Sequence, residues 1–387
     1  MIYRIKRFIK KNLYLIREKK SKNKNAKFAH ITYCTVGNVG DNVLSYFTRI
    51  AISKIVVPSW DIIPINKNVT SQIIKSLNQN DAIFIGGGGL FLPDTNANNI
   101  SGWQWAISNE QLEQIHRPLL VFAVGYNYFR GQKNTDLFKN SVLKLVESAS
   151  FFSLRNHGSI EAIKQIIPSE LHGRLIYQPC VTTIIRKLLP YIPPKTITKN
   201  IAFNMAFDRE ERRYGDKKEE ILNQVAQAAK AIQEKGYKIV YIAHCMADLK
   251  FVPYLKRYCK NIEIVNMDGW LPDKLFNVYN SMDVVIGMRG HAQMIPFGLN
   301  CEIISLGTHE KLKWFLQDID AMDWYIDLQK ESNIKEKILN TFTNTHEVYY
   351  DETKKRLFDQ QEKLYHITEN NIKQIFNILS KAGSVHE

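Results

Sequence analysis

The chain has 387 residues, 45% of them hydrophobic and 23% charged, with a formal net charge of +14. That length exceeds one ordinary core and points to two domains of globular type. No apolar run approaches the ~20 residues that cross a bilayer, which argues against a membrane-spanning protein.

In chain order, residues 1–27 come first and carry most of the charge. They hold eleven Lys and Arg against Glu18 alone, leaving 41 basic and 37 acidic residues in the remainder. A nearly balanced body has no nucleic-acid footprint, so no nucleic-acid partner is expected. Ile2, Ile5, Phe8, Ile9, Leu13 and Ile16 fall on one helical face with Lys and Arg opposite. This segment lacks the uninterrupted apolar stretch and cleavage site of a signal peptide. Two readings stand for residues 1–24: a basic amphipathic helix lying on an anionic membrane surface, or one packed on the protein with a solvated basic side. The expected location is cytoplasmic, with peripheral attachment at the inner face of the plasma membrane on the first reading.

From Ala26 onward, apolar runs alternate with helical patterns, as in a parallel sheet with crossover helices. "KFAHITYCTV", "DAIFIGGGG", "LLVFAVGYN" and "SFFSLRN" read as strands, and "LIYQPCVTTI" closes the first unit. "LLPYIPPKTITKN" reads as a linker. The second unit runs through "IAFNMAF", a helix ending at Gly236, "YKIVYIAHC", "IEIVNM", "DVVIGM", a helix from His291, "CEIISLG" and "WYIDL". The expected fold is α/β, with two Rossmann-like doubly wound domains facing a cleft and ligand groups at the carboxyl ends of the strands. The expected division is a basic segment (1–27), a first domain (28–189), a second (200–345) and C-terminal helices (346–387). Five scattered cysteines, none in a CxxC pair, read as reduced core thiols.

Four stretches carry candidate chemistry. "CTVGNVGDNVL" (34–44) sets Gly37 and Gly40 between a strand and a helix. Its helix start offers N–H groups to an anion and Asn38, Asp41 and Asn42 to a sugar; the alternative is a tight turn capped by Asp41. "FIGGGGLFLPD" (84–94) matches neither GxGxxG nor a P-loop, and reads either as close backbone approach to a substrate or as a flexible turn. "FFSLRNHGSIEAI" (151–163) puts Arg155 at a strand end before a helix, as a bidentate anion ligand or a surface salt bridge; His157 reads as a turn residue. "VVIGMRGHAQMIPFGLNCEIISLG" (284–307) puts Arg289 and His291 in the same position of the second unit, and "HEKLKWF" adds Lys311. Together they read as an anion pocket with a proton-transferring imidazole. "DID" at 318–320 resembles a DxD metal motif but follows a helix, so it reads as helix-end acids.

The ordered set "GNVGD", "GGGGLF", "SLRNHGS", "VVIGMRGHA" and "SLGTHEKLKWF", spanning about residues 29–320, resembles the polysaccharide pyruvyl transferases. The resemblance implies a GT-B-like fold and transfer of the pyruvyl group of phosphoenolpyruvate onto a sugar as a ketal, with release of phosphate. The sugar would belong to a cell-surface polysaccharide, such as an exopolysaccharide or capsule, or to its lipid-linked oligosaccharide precursor. Carried over by residue, Arg155 and Arg289 grip the phosphate and carboxylate of the donor, Lys311 adds to that grip, and His291 is the acid/base. Asn38, Asp41, Gly87 and Gly88 face the acceptor. No metal and no cofactor is implied beyond phosphoenolpyruvate as co-substrate. Two positions depart from the family pattern: Gly290, where a bulky apolar residue is more usual, and Gln178, where an Asp-Pro pair is common. Competing readings are a GT-B glycosyltransferase using a nucleotide sugar, and a non-catalytic protein docking through its basic segment.

Overall fold

The apolar runs become two parallel six-stranded sheets in a computed structural model that describes residues 26–33 and 37–385. The amphipathic reading of residues 1–24 lies outside the described residues, as does Cys34. The first sheet contains β1 (Lys27–Thr32), β2 (Ser59–Pro64), β3 (Ala82–Gly86), β4 (Leu119–Val124), β5 (Phe151–Leu154) and β6 (Leu175–Tyr177), in the order β2-β1-β3-β4-β5-β6. The second contains β7 (Asn200–Asn204), β8 (Lys238–Ala243), β9 (Glu263–Asn266), β10 (Val284–Gly287), β11 (Glu302–Gly307) and β12 (Tyr325–Asp327), in the order β12-β11-β10-β7-β8-β9. Counted within its own domain, the second order is that of the Rossmann fold. Helices cover both faces, so the central strands read as unbroken apolar runs, and all five residues of β3 are buried. Burying each Ile or Phe there contributes about 1.5–3 kcal/mol. The edge strand β2, "SWDIIP", is the one absent from the sequence reading. It has no buried residue and ends in Pro, so it carries neither an apolar run nor clean alternation.

Strand order creates the site. In each sheet the winding reverses beside the first strand, opening a crevice at the carboxyl ends. In the first sheet this lies between β1 and β3, where "GNVGD" and the glycine run emerge. In the second it lies between β7 and β10, where the chain emerges at Asn204 and Gly287, which are in register. The helices that matter are α1 (Val39–Ile52), α2 (His157–Lys164), α3 (Lys218–Glu234), α4 (His291–Gly298), α5 (Glu310–Asp318), α6 (Ile334–Phe342) and α7 (Tyr350–Lys381). The long α3 buries Ile221, Leu222, Val225, Ala228, Ala229 and Ile232 at helical spacing, and Gly236 follows it with φ +93°.

The last helix, α7, crosses back to the first domain. Asn371 donates to the Tyr177 carbonyl (2.8 Å) and to Gln178 (3.0 Å), and Gln178 donates to Thr368 (3.0 Å). Gln178 is thus a buried anchor for α7 that does not line the cleft cavity, and its amide suits that role. At the other end of α7, Lys354 and His346 both meet the buried Glu302, each at 2.8 Å. Residues 346–385 therefore form a strap across both domains.

Candidate active site

A cavity of about 350 Å³ lies between the carboxyl ends of the two sheets. The first domain lines it with Asn38, Asp41, Gly88, Gly89, Gln104, Asn127 and Phe129; the second lines it with Asp208, Arg213, Arg289, His291, His309 and Lys311, among others. Gly87 is a correction to the expected acceptor side. It has φ +92°, and a β-carbon there would run into Thr32 and Ser45; Gly88 and Gly89 line the cavity and Gly87 does not. It is the turn residue that lets its neighbours face the ligand.

The expected anion site at the start of α1 is likewise corrected, because its N–H groups are taken. Val39 N–H donates across the cleft to the His244 carbonyl (3.2 Å), and Gly40 N–H donates to the Asn38 side chain (3.1 Å). Asn38 also donates to Asp41 (3.0 Å), fixing that carboxylate. Gly269 N–H reaches the Gly37 carbonyl (3.1 Å), so "GNVGD" is a clasp between domains. Its residues can offer side chains to a ligand, but no free backbone donors at Val39 or Gly40.

Arg155 follows β5 and is 2% exposed. Its Nη2 donates to Asn127 (3.1 Å), while Nε and Nη1 have no partner and are sealed from water. Burial holds its pKa below the ordinary guanidinium value, with Cys180 and Asp41 as the only opposing influences. A buried, under-bonded cation is costly unless an anion arrives. His157, two residues on, points elsewhere and pairs with Asp318 at 2.9 Å. That ion pair explains "DID": Asp318 ends α5 and receives His157 from α2. Among the described residues, no group of three His, Cys, Asp or Glu is arranged to hold a metal ion.

Arg289 lines the cavity but is already engaged. Its Nε and Nη2 donate to both oxygens of the buried Asp248 (2.7 Å each), Nη1 lies 3.0 Å from Asp208, and Nη2 also meets the Cys245 thiol. Burial opposes its charge, but Asp248 and Asp208 outweigh it and raise the pKa. Asp208 gathers Arg213 (2.8 Å), Arg289 and Arg209 (3.2 Å). Burial would raise its carboxyl, yet these arginines hold it well below the ordinary range. Charge around Arg289 is therefore largely compensated within the protein, whereas charge around Arg155 is not.

His291 begins α4, a helix buried along its whole length whose positive end faces the cavity. Its Nδ1 is 3.7 Å from Asp41 and its Nε2 is 4.0 Å from the Cys180 thiol. Burial first, then Lys311 and Arg155, push its pKa well below the usual value, which favours the neutral imidazole. Asp41 moves the other way: burial raises its carboxyl against the pull of Lys311, Arg289 and Arg155. Lys311, in the first turn of α5, is lowered to about 7 by burial and by Arg155. Its stem passes over Gly290, where any β-carbon would strike Cε. The departure at Gly290 thus has a steric reason, since a bulky residue there would displace Lys311. Asp41, His291 and Lys311 line one cavity, and Arg155, bonded to the lining residue Asn127, lies just behind its wall within electrostatic range of all three.

Residues that the sequence reading passed over include Asp208, Arg213, Asp248, Asn127, Phe129 and His309. Phe129 of the first domain stacks on His309 of the second (4.8 Å, 14°) and lies under Arg209 and Arg213. Arg130 bridges to Glu310 (2.7 Å) and Asp327 (2.8 Å), and Arg209 to Asp94 (2.7 Å). The only hint in the sequence was "AFDREERRYG", a charged cluster directly after a strand.

Two Rossmann-like domains with a cation-rich cleft at their switch points define a GT-B-type protein. The chain matches the polysaccharide pyruvyl transferase family over residues 2–310 and belongs to that family. No curated protein matches it. Its fold is similar to UDP-GlcNAc 2-epimerase from Neisseria meningitidis bound to UDP-GlcNAc (TM-score 0.51, 11% identity, 91% of this chain and 100% of that one). It is also similar to the S. aureus MnaA-UDP co-structure (0.53, 11%, 92% and 97%) and to a glycosyltransferase from Rickettsia africae (0.52, 12%, 93% and 99%). At these identities the likeness is one of fold.

Proposed function

We propose that the protein transfers the pyruvyl group of phosphoenolpyruvate to two hydroxyls of a sugar, forming a ketal and releasing phosphate. The acceptor is a saccharide of a cell-surface polysaccharide or its lipid-linked precursor. The observation that carries this reading is Arg155: a buried guanidinium with two unpartnered nitrogens, in the electrostatic range of Lys311 and His291. A small dianion supplies the missing charge and hydrogen-bond acceptors. In this reading Lys311 meets the donor from the cavity lining, and Arg155, bonded to the lining residue Asn127, turns its unpartnered nitrogens to the donor as it binds. Arg289, held by Asp248 and Asp208, contributes chiefly its place in the wall.

The donor also sets the protonation of His291. One unit charge at 4 Å is worth about 4 kcal/mol at an effective dielectric of about 20, or about 3 pH units, and a dianion more. Binding therefore reverses the depression that burial, Lys311 and Arg155 impose on the empty site. The imidazolium then protonates the methylene carbon, generating an oxocarbenium-like centre for hydroxyl attack. The cations stabilise the departing phosphate. In its ionised form Asp41, 3.7 Å from His291 and fixed by Asn38, favours the imidazolium, and in this reading it lies on the acceptor side.

Thermal shift separates this from nucleotide-sugar chemistry. A ligand at 100 times its Kd stabilises the folded state by about 2.7 kcal/mol. Phosphoenolpyruvate is expected to raise the melting temperature and UDP-sugars to leave it unchanged. The opposite result would transfer the site to the glycosyltransferase reading. No helix among the described residues is long and apolar enough to cross a membrane. A lipid-linked acceptor would therefore be met at the membrane surface, with residues 1–24 as the proposed contact.

A further inference from the structure

The proposed reaction moves two protons, and His291 accounts for one. Each acceptor hydroxyl loses a proton as its oxygen bonds to the central carbon of the donor. One proton's worth ends on the methylene carbon, making the methyl group, and restores His291. The other ends on the phosphate, which leaves with its bridging oxygen as hydrogen phosphate. A second carrier is needed between a hydroxyl and the leaving group.

We propose that His309 is that carrier, an inference that rests on the reading above. His309 lines the same cavity from the residue preceding α5, is 5% exposed, and its Nδ1 is buried without a partner. The buried His30 and His244 lie outside the cavity lining, and each is held at one ring nitrogen, by Arg49 (3.1 Å) and by the Tyr279 hydroxyl (2.6 Å), with the other nitrogen left without a partner. The ring of His309 is held instead by its face, stacked on Phe129, which fixes its plane while leaving its nitrogens uncommitted. A buried unpaired imidazole nitrogen costs stability unless a ligand completes it. An acceptor hydroxyl entering between the domains supplies a donor of the right kind.

The charged groups around the ring suit a neutral proton acceptor. Arg213 lies on Phe129, Lys311 is two residues along in the first turn of α5, Arg155 acts on the ring electrostatically from the first domain, and Asp208 opposes them. Burial first, and then these cations, disfavour an imidazolium until a phosphate enters, so a proton taken from a hydroxyl passes readily to the departing phosphate. No capping hydrogen bond is made by the His309 side chain to α5, so its replacement spares that helix.

The full-length protein is mixed with phosphoenolpyruvate and a panel of neutral p-nitrophenyl pyranosides in D2O. Deuterium at the methylene carbon reports the His291 step, and phosphate release reports completion. His309→Gln is expected to keep the thermal shift with phosphoenolpyruvate and the deuterium exchange, while phosphate release falls by about 10²–10⁴-fold. In His309→Gly, added imidazole is expected to restore part of that loss. Unchanged phosphate release in His309→Gln overturns the proposal. So does joint loss of donor binding, exchange and release, which marks the stack as merely structural. Should the wild-type protein neither exchange nor release phosphate, the pyruvyl-transfer reading itself fails, and the role of His309 falls with it.

Discussion

Replacing Arg155 with Met should make the empty protein more stable while abolishing donor binding. Arg155 is 2% exposed and makes one hydrogen bond, to Asn127 at 3.1 Å, with Nε and Nη1 unsatisfied. Each unsatisfied buried donor costs about 1–3 kcal/mol, and exchanging a poorly compensated buried ion for a packed apolar chain stabilises by about 1–4 kcal/mol. Against this stands the lost attraction to Asp41, a carboxyl that burial already inclines toward its neutral form. A net gain of about 1–2 kcal/mol is expected, which for a domain of this size raises the melting temperature by about 2–4 °C per kcal/mol. Losing a charge-assisted grip on the donor costs at least about 3 kcal/mol, more than 100-fold in Kd. Calorimetry with and without phosphoenolpyruvate reads both terms. A lower melting temperature for the empty variant, or an undiminished shift with donor, would refute the idea that Arg155 is held in reserve for an anion.

His291→Gln is expected to retain the phosphoenolpyruvate thermal shift and lose ketal formation by about 10²-fold or more, because the amide can hydrogen-bond but not protonate carbon; transfer at the wild-type rate would remove the assignment. Lys311 titrates near 7 in the empty site. Its folded pKa lies below the unfolded one, so its burden on stability is full below about pH 7 and is relieved as pH rises from there toward 10.5. Donor affinity runs the other way: it should weaken up to about tenfold per pH unit above 7, and Lys311→Arg should flatten that slope in a calorimetric titration. Gly290→Leu should displace the Lys311 stem and weaken donor binding at unchanged secondary structure by circular dichroism; unaltered affinity would show that Lys311 does not reach the donor. Deleting residues 1–24 should weaken sedimentation with anionic liposomes without lowering the melting temperature, and equal sedimentation would dismiss the membrane contact.

The local sequence determined a good deal of this molecule. Apolar runs of strand length, helical spacing from Ile221 to Ile232 and the glycine at 236 each express forces acting within a few residues, so the α/β alternation was legible. Arg155, His291 and Lys311 were legible as candidates because polar residues directly after buried strands must emerge at the carboxyl edge of a parallel sheet. Only the tertiary structure decided which of the cations is free. Arg289 is engaged by Asp248 and Asp208 from other strand ends, Val39 N–H by the His244 carbonyl, and Phe129 by His309 from the opposite domain. These partners are distant in sequence and are brought together by the order β12-β11-β10-β7-β8-β9 and by the clasp between domains. Periodicity carries no record of strand order, and charge compensation at a buried site depends on which groups that order makes neighbours.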